Sequence, residues 1–155
     1  MGAELELGGD DMKHRLGGAT MVGVVGLGLL LGASVVGGQT GAVHVDSAKA
    51  TYKELVPGVS VAVAWGDMDK GPYGAFIKFV PGHSDGLHTH TNGSRLVVLK
   101  GAYVFKPENG AEQRVGTGQF LSVPGGNRHA TGSDAKEGAL FYMESNGKFD
   151  LIPVK

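Results

Sequence analysis

Apolar residues recur in short runs, several alternating with polar ones, at 59–65, 73–80, 96–99, 102–105, 120–123, 139–143 and 149–154. Side chains two apart on a strand share a face, so such runs predict β-strands with one side buried. No window of eleven or more residues carries a helical stripe without a glycine or proline. Between the runs stand turn sequences such as Pro81-Gly82, Asn92-Gly93, Pro124-Gly125-Gly126 and Asn146-Gly147. Strands and turns alternating about every ten residues predict a sandwich or barrel over residues 45–154. Trp65, Phe76, Phe79, Val97, Leu99, Phe120, Leu121 and Phe141 are the candidates for its core. No internal repeat points to a propeller or solenoid.

The first forty-two residues follow a different pattern. Lys13-His14-Arg15 precedes residues 16–36, which hold no charge, and small residues follow through Ala42. A basic flank, an apolar stretch and a small-residue zone read as an export signal. Glycine at 17, 18, 23, 26, 28 and 32 argues against a buried soluble helix, since each costs about 1 kcal/mol relative to alanine. The stretch is also long enough to remain as a membrane anchor. Either outcome divides the chain into an extension over 1–42 and a single domain over 43–155, with the domain periplasmic or secreted. Met12, directly before the basic triplet, is an alternative start, because residues 1–11 bring four acidic groups that such signals seldom carry.

With 155 residues, 41% hydrophobic and 19% charged, the chain has the composition of one globular domain. A formal charge of -1 and the lack of a basic block exclude nucleic acid as the expected partner. No cysteine is present, so chemistry must come from histidine, carboxylates, hydroxyls and a bound ion.

Six histidines occur, at 14, 44, 83, 88, 90 and 129. His88 and His90 project to one face of a strand, and His129 opens a later strand, so three imidazoles converge if the two strands are neighbours. The alternative is that they are hydrogen-bonded or solvated side chains with no ion between them.

The spacing around them adds to this. Gly82-x5-His88-x-His90-x4-Arg95-x5-Gly101 resembles the first cupin motif, and Gly118-x5-Pro124-x-Gly126-x2-His129 resembles the second, in the family's order. The resemblance spans about residues 59–145 and is to small single-domain bacterial cupins. It implies an all-β jelly-roll barrel, a double-stranded β-helix, with His88, His90 and His129 as ligands of one divalent ion: Fe, Mn, Zn, Ni or Cu. One departure stands out. The carboxylate the first motif usually supplies is replaced by Ser94 or Arg95, according to where the shortening is placed.

A divalent ion on three neutral imidazoles stays near +2, which favours an anionic small molecule, more so if Arg95 points inward. Arg95 is otherwise solvated on the outer face. His83 is a candidate fourth ligand or rim residue, and Gln119 either reaches the site or bonds at the surface. His44 is expected in solvent. Tyr103, Tyr142 and Glu144 lie on strands whose facing the sequence leaves open, so no acid or base is named. The resemblance implies a metal-dependent enzyme acting on a small organic molecule, with dioxygenase-like oxidoreductase chemistry favoured. A non-catalytic module that binds or senses a small ligand is the alternative, and a storage-like structural role is a third. A homodimer is expected, because exposed strand edges need covering.

Overall fold

A computed structural model describes residues 41–155. The reading of an export signal or anchor falls almost wholly on residues outside those described. Ten strands make up the described chain, and no helix interrupts them: β1 (Lys53–Val56), β2 (Val59–Gly66), β3 (Tyr73–Phe79), β4 (His88–Thr89), β5 (Ser94–Pro107), β6 (Gln113–Gly116), β7 (Phe120–Val123), β8 (His129–Ser133), β9 (Ala139–Ser145) and β10 (Ile152–Pro153). All pair antiparallel in one curled sheet of order β1-β2-β3-β9-β5-β8-β4-β10, with β6 and β7 also on β5. The expectation of an all-β barrel holds.

β5 curls the sheet. Its first half, through Gly101, pairs with β7 and β9; its second half, from Ala102, pairs with β6 and β8. A register shift between Val98 and Lys100 bends the strand where it changes partners. Gly101 completes the bend at φ +70°, where a side chain would be strained and its Cβ would run into the Gly138 carbonyl.

The bend also explains which apolar residues enter the core. Leu96 and Val98 point inward before it, and Tyr103 and Phe105 after it. Val97 and Leu99 occupy the opposite parity, so Leu99 is 40% exposed and Val97 half-buried. The same phase error applies to Phe120: in the four-residue β7 it is 61% exposed, while Val123 is buried and Leu121 packs against the core. Trp65 and Phe76 are half-buried beside Tyr142, which accepts a 2.8 Å hydrogen bond from Trp65 Nε1 and lies 5.4 Å from the Phe76 ring. Phe141 is in the core, and Phe79 packs against it edge-on at 5.1 Å. Burying Tyr73, Ile77, Leu96, Val98 and Phe141 contributes about 1.5–3 kcal/mol per side chain. The core is thus built from the apolar faces of the strands.

Candidate metal centre

β4 and β8 meet at one residue pair, His88 opposite His129. His90 follows β4 by one residue and, two from His88, returns to the same face. The ring centroids lie 4.6 Å (His88 and His129), 5.0 Å (His88 and His90) and 5.6 Å (His90 and His129) apart. One ring nitrogen from each lies within 4.8 Å of the others, the only such group of metal-ligating side chains among the described residues. His88 and His129 are each 2% exposed and His90 is half-buried.

The backbone orients all three rings. His88 Nδ1 donates to the Gly86 carbonyl at 2.7 Å and His129 Nδ1 to the Asn127 carbonyl at 2.9 Å, each two residues upstream. His90 Nδ1 donates to the Asp150 carbonyl, delivered by the C-terminal segment. That segment is anchored by Asp150 Oδ1, which accepts from Thr91 N at 2.8 Å, and by β10 pairing with β4. With every Nδ1 holding its proton against a carbonyl, each Nε2 keeps its lone pair.

Electrostatics favour the same state. Burial lowers the pKa of His90 and of His129, and the neighbouring imidazoles lower both further, outweighing the carbonyls that favour the charged ring. Three imidazoles, each with Nδ1 held by a carbonyl, suit a borderline divalent ion such as zinc, iron or copper. The donor set fits a metal.

The other sequence candidates are dispersed. Of the two candidates for the position of the first motif's carboxylate, Ser94 shares the inward parity of Leu96 and Val98 and lines a small recess beside His90. Arg95 is exposed on the outer face, opposite Glu144 on β9 and Ser122 on β7. Gln119 is exposed in the turn before β7, where its Oε1 accepts from Gly116 N, so its reach into the site is corrected to a turn contact. His83 lies outside the cluster: its ring packs tilted against Phe79, with centroids 4.6 Å apart, and bonds Asp85. His44 is exposed, Tyr103 is buried in the core, and Tyr142 faces Trp65.

A cavity of about 310 Å³ opens beside His88 and His90. Ile77, Phe79, Phe141, Met143 and Phe149 make most of its wall apolar, and Leu55, Val56 and Leu151 are exposed along it. Asp85, Tyr103 and Thr131 form one polar corner, with Thr131 Oγ1 donating to Asp85 Oδ2 at 2.9 Å. Burial pushes the Tyr103 hydroxyl well above the usual tyrosine range, so it stays protonated. Sequence reasoning missed Asp85, Thr131, Phe149 and Asp150. Asp85 lies in a loop three residues before His88, Thr131 follows His129 by two residues on β8, and Phe149 and Asp150 lie in the segment between β9 and β10, where no motif marks them.

Residues 75–145 match the family model described as the cupin domain. No curated protein matches the chain in sequence. Among similar solved structures is the polyketide cyclase RemF from Streptomyces resistomycificus, with TM-score 0.62 and 16% identity over 74% of this chain and 86% of that one. A protein of unknown function with a cupin-like fold from Ralstonia eutropha gives 0.57 and 19% over 72% and 76%. KdgF from a Halomonas species gives 0.54 and 18% over 65% and 92%. At these identities the likeness is one of fold.

Proposed function

The described residues have the cupin fold, and on that premise we propose that the protein is a metal-dependent enzyme acting on a small, largely apolar organic molecule held in the cavity. His88, His90 and His129 would hold one divalent ion through Nε2. The observation that carries this is the backbone bond at each Nδ1, which leaves the three Nε2 atoms free to converge beside the cavity that His88 and His90 line. A divalent ion there supplies Lewis acidity, polarising an oxygen of the bound molecule, or redox chemistry with dioxygen.

The chain's own residues then do the rest. Phe79, Phe141, Phe149 and Ile77 surround the apolar body and exclude water, and Tyr103 offers a hydroxyl donor at the polar corner. An anionic substrate is less favoured, because Asp85 stands in the wall and Arg95 points away. Oxygen-dependent breakdown remains the favoured chemistry. Metal analysis of protein purified without added metal, then oxygen uptake with diketones, thiols and phenols, tests the reading. A metal-bearing protein that binds members of this panel without turnover would support the binding or sensing module instead. Export or anchoring through residues 1–42, and a homodimer, belong to the same proposal.

A further inference from the structure

The cavity wall holds one carboxylate, Asp85, and both of its oxygens are oriented from the protein side. His83 Nε2 donates to Oδ1 at 3.0 Å, and Thr131 Oγ1 donates to Oδ2 at 2.9 Å. The His83 side chain is 9% exposed and that of Asp85 21%. Each carboxylate oxygen has a second lone pair beyond these bonds. His83 also lines a cleft of about 450 Å³, with Ser84, Lys106 and Glu112, that the interior cavity does not share except at Thr131. The pair therefore crosses the barrel wall, with the carboxylate toward the bound molecule and the imidazole toward the other side.

A base fixed by a second group, beside a metal centre in an apolar cavity, is the arrangement proton abstraction needs. We propose that Asp85 is the catalytic base of this site, taking a proton from carbon next to a carbonyl group of the substrate, and that His83 is its positioning residue. The inference rests on the metal-centre reading for the ion that polarises the carbonyl. In the step, the C–H bond breaks and its electron pair stays on the substrate as the enolate. The proton becomes the O–H of the Asp85 carboxylic acid and returns to carbon or exchanges with solvent. The substrate class is thus a carbonyl compound with an apolar, ring-sized body and an acidic C–H. Thr131 from β8, Tyr103 from β5, His90 beyond β4 and His83 on its own loop are the polar and titratable groups around Asp85.

Deuterium uptake at the methylene of phenylacetone, followed by proton NMR in D2O with the zinc-loaded full chain, tests this. Exchange well above the buffer rate is expected, with at least a tenfold loss in Asp85→Asn at unchanged zinc content. His83→Phe removes a donor that favours the ionised carboxylate, so it should move the rising limb of the pH–rate profile upward. His83→Gln, which keeps an N–H donor, should restore part of the shift. A readout independent of turnover is the carbon-13 titration of the Asp85 carboxyl in metal-free protein, expected to shift upward in His83→Phe. Zinc-loaded wild type that exchanges no faster than buffer, or Asp85→Asn as fast as wild type, overturns the role of Asp85. An Asp85 titration unmoved by His83→Phe overturns that of His83. Wild type that holds no zinc overturns the metal centre instead, while the carboxyl titration still decides the pair.

Discussion

His88 and His129 are partners across the single residue pair that joins β4 to β8, with ring centroids 4.6 Å apart and both side chains almost wholly buried. Forty-one positions separate them in sequence, so their meeting depends on how β5 carries the chain from one half of the barrel to the other. Burial lowers the pKa of the His129 ring, which favours the neutral form that binds a metal.

Replacing His88, His90 or His129 with alanine is expected to remove most bound metal while the barrel stays folded, because the core is apolar. His44→Ala, exposed and remote, should leave metal content unchanged. Metal analysis paired with circular dichroism checks both.

The pH dependence follows from His90 and His129, whose pKa values are lowered in the folded chain by burial first. A depressed folded value means the unfolded state takes up protons first as pH falls. Their contribution to stability is therefore complete above an unfolded pKa of about 6.5 and is lost as pH drops toward the folded values. Metal affinity should fall over the same range. Urea melts and chelator competition between pH 7.5 and 5 measure the two effects.

Ser94→Glu is expected to tighten metal binding by adding a carboxylate at the inward position beside His90. Arg95→Glu should not, since that side chain is outside and the change sets like charges opposite each other at Glu144. Competition with a chromophoric chelator separates them.

Truncation after Lys148 removes the Asp150 carbonyl that orients His90 and the Phe149 ring 5.4 Å from it. Loss of such an outer-shell partner typically costs about 10–100-fold in metal affinity, and a loss of that size is expected here. A truncated protein that binds metal as tightly as the full chain would show that His90 is oriented without the C-terminal segment.

Gly101→Ala is expected to destabilise the barrel by more than the ~1–3 kcal/mol of a strained backbone position alone, because its methyl group also meets the Gly138 carbonyl. Urea denaturation of the metal-free protein measures this without interference from ligand binding.

The alternation of apolar and polar residues, broken by glycine, proline and asparagine turns, determined that residues 45–154 are all-β, because a two-residue period can bury one face only in a sheet. The spacing of Gly82, His88, His90, Gly101, Gly118, Pro124, Gly126 and His129 likewise determined which histidines to compare, since turns and strand lengths are local properties. What depended on the tertiary structure was everything set by phase and by distant partners. The bend between Val98 and Gly101 turned Leu99 outward, and the strand's parity set Ser94 on the side of Leu96 and Val98 and Arg95 on the outer face. Asp85 reached the cavity because Thr131 and His83 hold its two oxygens, and His90 took its tautomer from a carbonyl sixty residues away. A one-residue shift reverses a strand's faces, and a hydrogen bond between distant segments leaves no periodicity in the chain, so only the folded barrel decides them.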